Sequence, residues 1–192
     1  MPIETEVKRR ASALSPDDRR SAIVGATLRL LLDRGEMATT KQIAEASGIA
    51  EGTIFRVFAD KDELVGALID EATDPGPTEQ ALAALDVTAP LEVVLAEAIA
   101  VLQHRTIEVW RLLAAIGPRF HERARRPMTD SPGLVAVFTA HRDEIEMTPA
   151  EAARRTRAVT LASSHPLLTE EPVPPAQIAH QLLHGIGRRP PC

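Results

Sequence analysis

The chain has 192 residues, 44% of them hydrophobic, with 22 basic against 27 acidic side chains and a net charge of −5. That length suffices to bury a sizeable core, and a lone Cys192 excludes an internal disulfide framework or a cysteine-based metal site. Aromatics make up 3% and Tyr is absent, so the core must be built from Leu, Ile, Val and Ala, a mixture that favours helices.

The helical pattern runs through the chain, and no β-branched or aromatic stretch alternates with a period of two, so an all-α fold is expected. Residues 1–14 are polar and read as a flexible arm. Ser15 and Pro16, followed by Asp17 and Asp18, open a first helix: Ser is a good N-cap, Pro fits the first turn, and acidic residues favour the positive helix end. Its apolar stripe is Ile23, Ala26, Thr27, Leu30 and Leu31, and Gly35 ends it. Three short helices follow, over 40–47, 51–58 and 61–73. The breaker Asp74-Pro75-Gly76-Pro77 places a domain boundary between 15–74 and 75–192. Beyond it the pattern predicts a short helix over 78–86 and a long amphipathic one from Pro90 to Ile116. It then predicts a short basic helix over 119–126 and another over 131–145. Thr148-Pro149-Ala150-Glu151 reads as a capping box for a helix to Ser164. Residues 166–175 form a loop, and Pro174-Pro175 start a last helix to Ile186. No run reaches the roughly 18–20 apolar residues of a membrane span, and residues 1–20 hold no apolar run that would read as a signal peptide. No membrane association and a cytoplasmic location are expected.

The informative stretch is Thr39 to Phe58, which reads as helix, tight turn, helix. Ile43 and Ile49 are apolar where the two helices must be pinned together, Ala44 is small where they cross, and Gly48 sits where the turn needs a positive φ. In the second helix Ile54, Val57 and Phe58 fall at i, i+3 and i+4 on one buried stripe. Gly52 and Arg56 face away, with Thr53 and Phe55 on the flanks. This is the layout of a recognition helix entering a major groove. Gly52 permits close backbone approach, and Thr53 can bind phosphate. Arg56 can reach a guanine edge or a phosphate, and Phe55 can make apolar contact. Thr39 caps the first helix of the pair, while Thr40 and Lys41 can grip the flanking backbone. Asp60 caps the following helix. Lys61 at its start opposes the helix dipole and calls for an external anion such as a DNA phosphate.

The charge balance runs against a nucleic-acid partner, since a small DNA reader often has a basic face. Residues 1–74 carry 10 basic and 14 acidic side chains. Between 39 and 61, Lys41, Arg56 and Lys61 are offset by Glu45, Glu51 and Asp60. Glu51 would either accept from a cytosine amino group or face away. Lys8, Arg9 and Arg10 could add a minor-groove arm.

The block over residues 20–70 resembles the TetR/AcrR family of transcriptional regulators. The likeness rests on the long first helix, the turn at Gly48, Thr53-Ile-Phe-Arg-Val-Phe58, and Asp60-Lys61-Asp-Glu-Leu64. Phe55 stands where the family usually has Tyr, Val57 where it has His or Tyr, and Ala50 where Ser is frequent. The resemblance implies an N-terminal three-helix DNA-binding domain with a helix-turn-helix. A larger C-terminal helical domain would bind an effector and dimerise. It implies a homodimer on a double-stranded, palindromic operator, most simply a repressor released by a small apolar or amphipathic effector. An effector pocket is expected from Leu102, Thr106, Trp110, Phe120, Phe138 and His141. A dimer interface is expected from Ala152, Thr156, Val159 and Ser163 on one helix and Ile178, Leu182 and Ile186 on the next, packed as a four-helix bundle. The alternative is a helical binding or interaction protein of the same fold with weak or lost DNA affinity. No catalytic constellation, phosphate loop or zinc pattern is found, so neither an enzyme nor a cofactor is expected. His180 and His184 lie four apart on one predicted helix, but the sequence offers no evident third ligand. They read as interface or surface histidines.

Overall fold

A computed structural model describes residues 15–34, 37–124 and 130–185. Helices are the only regular elements among them: α1 (Pro16–Arg34), α2 (Thr40–Ser47), α3 (Glu51–Val57), α4 (Lys61–Thr73), α5 (Gly76–Ala83), α6 (Leu91–Ile116), α7 (His121–Ala124), α8 (Pro132–Ala140), α9 (Pro149–Ala162) and α10 (Pro175–His184). Short 3-10 turns cover Pro118–Phe120 and Arg142–Glu144. No helix among the described residues is long and apolar enough to cross a membrane.

Two apolar cores organise these helices. The first gathers Ile23 and Leu31 of α1, Ile43 and Ala44 of α2, Ile54 of α3, Phe58, and Leu64, Leu68 and Ile69 of α4. The second gathers Leu82, Leu91, Leu95, Ile99, Leu134, Phe138, Ala152 and Ile178 from α5, α6, α8, α9 and α10. Helix α6 serves both. Its first turns lie in the second core, while Leu112 near its end is fully buried in the first. At 1.5 Å per residue its 26 residues span about 39 Å, so one rigid element joins the two cores. Midway, the buried Gln103 amide donates to Ser164 Oγ at 3.1 Å and to the Val173 carbonyl at 2.8 Å, tying α6 to the chain beyond α9.

Local chemistry sets the helix ends. Ser15 Oγ accepts from the Asp18 N–H, and Thr148 and Glu151 form the predicted capping box at α9. Glu79 of α5 holds the start of α8, accepting from Ser131 Oγ at 2.6 Å and from the Gly133 N–H at 2.8 Å. A Cβ on Gly133 would come within 2.7 Å of Leu82 Cβ, so glycine is what lets α8 approach α5 this closely.

The helix expected over 131–145 stops at Ala140. His141 leaves helical geometry at φ −109° and ψ 33°, and its Nδ1 lies 2.7 Å from Glu144 Oε1 across the following 3-10 turn. Of the helix expected over 119–126, residues 118–120 form a 3-10 turn and 121–124 the single α-turn of α7. The arm with Lys8, Arg9 and Arg10, and Ile186, lie outside the described residues.

Phe58 is 1% exposed at the centre of the first core. Phe58→Ala is expected to cost about 3–5 kcal/mol, read as a lowered urea midpoint for loss of far-UV helical signal.

Candidate nucleic-acid interface

Helix α2 begins with a closed capping box. The Gln42 N–H donates to Thr39 Oγ1 at 3.3 Å, and the Thr39 N–H donates to Gln42 Oε1 at 2.9 Å. Its far end closes with Gly48 at φ 66° and ψ 30°: the Ile49 N–H bonds to the Ala44 carbonyl and the Gly48 N–H to that of Glu45. This Schellman arrangement satisfies two orphan carbonyls and turns the chain sharply into α3. A Cβ at Gly48 would meet nothing within 4 Å, so the requirement is the backbone angle and not space.

Helix α3 has seven residues, too few to be stable alone. Ile54 is buried and Val57 half-buried on its inner side, and Phe58 follows as its buried C-cap. Glu51, Gly52, Phe55 and Arg56 are exposed, and Thr53 is half-buried between them. Phe55 is 57% exposed, an outward-facing ring on a surface otherwise polar. Lys41, at the first turn of α2, and Lys61, the first residue of α4, are also exposed. Among the described residues neither lysine nor Arg56 has a hydrogen-bond or ion-pair partner. Glu51, by contrast, accepts a hydrogen bond from the Thr40 hydroxyl. These two expected DNA contacts therefore satisfy each other across the α2–α3 corner. The acid is turned toward α2 instead of standing free beside the recognition surface.

Sequence reasoning missed the residue that holds this corner together. Arg20 of α1 donates to the Val57 carbonyl at 3.3 Å, pairs with Glu63 Oε1 at 2.9 Å, and lies 4.4 Å from the Phe58 ring centroid. A cation at the C-terminus of α3 suits the helix dipole and fills an orphan carbonyl. Glu63 also accepts from the Ala59 N–H, while Asp60 accepts from the Glu63 N–H, so the α3–α4 corner is capped from both sides. The Ala59 N–H, reinforced by Arg20, holds the Glu63 carboxyl below its ordinary range. Arg19 and Arg20 border the same cleft of about 590 Å³ as Thr53 and Arg56. Asp17 borders the cleft too, and Arg20 is already paired with Glu63, so three arginines of α1 and α3 meet there with one acid among them.

The expected effector residues are divided between the two cores. Leu102 packs at the edge of the second core and Phe138 is buried within it, whereas Phe120 packs against the first. Thr106 donates to the Leu102 carbonyl, and Trp110 meets the His165 ring edge-on at 3.9 Å. His141 is 8% exposed, and its buried Nε2 has no hydrogen-bond partner among the described residues. The six therefore fall on both sides of the division between the cores.

The expected dimer residues require a correction. Ala152, Thr156 and Ile178 are buried inside the protomer, Ile178 completely, and have no surface to offer a second copy. They pack α9 and α10 onto the protomer's own helices. Val159, Ser163 and Leu182 are half-buried. A stripe of small and apolar residues marks a packed helix face without saying whose helix packs on it.

A short second helix seated on Ile54 and Phe58 with its outer face exposed, joined to α2 by the tight turn at Gly48, has the geometry of a helix-turn-helix. Residues 23–68 match the model of the bacterial regulatory proteins of the tetR family. A 59-residue segment, 30% of this chain and 30% of the relative's length, is 42% identical to the uncharacterized HTH-type transcriptional regulator YvkB of Bacillus subtilis. Across the whole chain the fold is similar to that of the TetR-like transcriptional regulator LfrR of Mycobacterium smegmatis, solved in complex with proflavine. There the identity is 20%, with 91% of this chain and 100% of that one covered and a TM-score of 0.55. It is also similar to FadR of Bacillus subtilis in complex with stearoyl-CoA, at 15% identity, 87% and 99% coverage and a TM-score of 0.53. Segment 23–68 therefore matches the helix-turn-helix of the tetR family, and the chain as a whole has a fold similar to that of TetR-like regulators. The matched family and relatives are transcriptional regulators and not enzymes.

Because the folded-state pKa of Glu63 is depressed, its contribution to stability is fully present above the unfolded value of about 4.3 and is lost as pH falls through the folded value. Thermal midpoints of wild type and Glu63→Gln should differ most above about pH 5 and converge as pH falls through the folded-state value.

Proposed function

We propose that the chain is a dimeric transcriptional repressor that leaves a palindromic operator when a small apolar or amphipathic molecule binds its helical body. The observation that carries this reading is the two-sidedness of α3. Ile54 and Phe58 are buried behind it, while Gly52, Phe55 and Arg56, the last without a partner among the described residues, are exposed, as are Lys41 and Lys61. Such a helix inserts into a major groove, with Arg56 directed at base edges or phosphate and Thr39, Thr53 and the two lysines at the flanking backbone.

Two-fold pairing would present the two α3 helices to successive half-sites. Leu161, Leu167 and Leu168 are large, exposed and apolar, at 40, 84 and 69%, and are the surfaces that a second copy would cover. The molecules bound by LfrR and FadR, proflavine and stearoyl-CoA, support an apolar or amphipathic effector here. The buried Nε2 of His141, without a hydrogen-bond partner among the described residues, offers such a molecule a polar handle three residues beyond Phe138 of the second core. A ligand wedged there would displace α6, whose Leu112 end is embedded in the first core. Arg123 of α7, paired with Asp70 at 2.7 Å and lying against Gly66, carries that displacement onto α4. Coupling then follows from the effector's differential affinity for the two arrangements.

The balanced charge of residues 39–61 favours a second reading, a TetR-fold binding protein that has lost its DNA affinity. Electrophoretic shifts with fragments upstream of the chain's own gene separate the two. Retardation at low salt supports the repressor, and its complete absence supports the second reading. On a bound fragment, Arg56→Ala should weaken affinity by about 10- to 100-fold and relax sequence preference. Lys61→Ala should weaken all fragments alike and reduce the salt slope by about one. Proflavine and stearoyl-CoA serve as effector probes. Release of DNA together with a raised thermal midpoint by either one is the expected result.

A further inference from the structure

His180 and His184 occupy successive turns of α10, and the fold supplies the third group that the sequence left unassigned. Glu92, at the first turn of α6, reaches across the α6–α10 seam. Its Oε1 lies 2.9 Å from His180 Nδ1, and its Oε2 lies 3.5 Å from His184 Nε2. The two imidazole rings stand 4.6 Å apart between centroids, inclined at 54°. One ligand atom from each of the three residues falls within 4.8 Å of the others.

We propose that Glu92, His180 and His184 form a binding site for a divalent transition-metal ion, with Zn²⁺ the best match, which clamps α10 onto α6. The donor set, two imidazoles and one carboxylate, is that of open zinc sites, with a remaining position for water. Ligand atoms around a tetrahedral zinc at 2.0–2.2 Å stand about 3.3–3.6 Å apart. His180 and His184 lie 2.9 and 3.5 Å from different oxygens of Glu92, and one atom from each residue falls within 4.8 Å of the others, so the set has to draw in around an ion. Each imidazole binds the ion in its neutral form: the nitrogen facing Glu92 gives its lone pair to the metal, the other ring nitrogen carries the single N–H, and only a proton in excess of that one leaves to solvent. The imidazoles select zinc, nickel or copper over magnesium and calcium, which prefer oxygen ligands. All three side chains are at least a third exposed, so an ion can enter without opening the core.

This site is independent of the repressor reading, since it requires neither DNA nor an effector. The experiment is Zn²⁺ titration of the untagged full chain by calorimetry at pH 7.5, with the thermal midpoint followed in parallel. One ion per protomer with a micromolar or tighter Kd is expected, together with a midpoint that rises with Zn²⁺. Glu92→Gln should weaken binding more than about tenfold, and the double variant His180→Ala/His184→Ala should abolish both binding and the rise. The far-UV signal of the variants without metal should equal that of wild type, because the three side chains lie outside the core. Failure of the wild type to bind Zn²⁺ below 100 µM (an order-of-magnitude ceiling, about 5.5 kcal/mol) overturns the proposal. So does undiminished binding by the double variant, which would place the ion on other histidines.

Discussion

Helix α3 is held from outside, because seven residues make too few internal hydrogen bonds to hold themselves. Two side chains, Ile54 and Phe58, sink into the first core and fix its rotation. The guanidinium of Arg20 then closes the exit, touching the Phe58 face, the Val57 carbonyl and Glu63 together. These contacts connect α1, α3 and α4 at a single point. Everything the outward face offers, from Gly52 to Arg56, inherits its direction from this anchorage. A shift of α4 relative to α1 would have to strain or break the Arg20–Glu63 pair.

That dependence gives the long helix its importance. Helix α6 begins in the second core and ends in the first, with Leu112 buried among residues of α1 and α4. The helical body and the head are joined by packed apolar contacts instead of a loose linker. Arg123 adds a second connection, pairing with Asp70 on the outer side of α4. Close-packed interfaces of this kind shift between discrete arrangements more readily than they deform smoothly.

The acidic composition is resolved by placement. Glu51 is tied to Thr40, and Glu63 to Arg20 and the Ala59 amide, so two acids near α3 are engaged in holding corners. Lys41, Arg56 and Lys61 remain exposed and unpaired among the described residues. Net charge describes solubility and long-range steering; local recognition depends on which charges are already spoken for.

Nearly all helix positions were legible in the sequence, because capping residues, prolines and the 3.6-residue period act over a few neighbours. The turn at Gly48, the capping boxes at Thr39 and Thr148, and the buried stripe of Ile54 and Phe58 all follow from local rules. So does the exposure of Gly52 and Arg56. Contacts between residues far apart in the chain were not legible: Arg20 with Glu63, Thr40 with Glu51, and Glu92 with the two histidines. Nor could periodicity tell that Ala152, Thr156 and Ile178 pack within the protomer, since an apolar stripe is the same whichever chain covers it. The sequence by itself determined the helices and the face that the second of the pair turns outward. Only the tertiary structure decided which charges neutralise one another and which apolar faces meet, because both are settled by distances that folding creates.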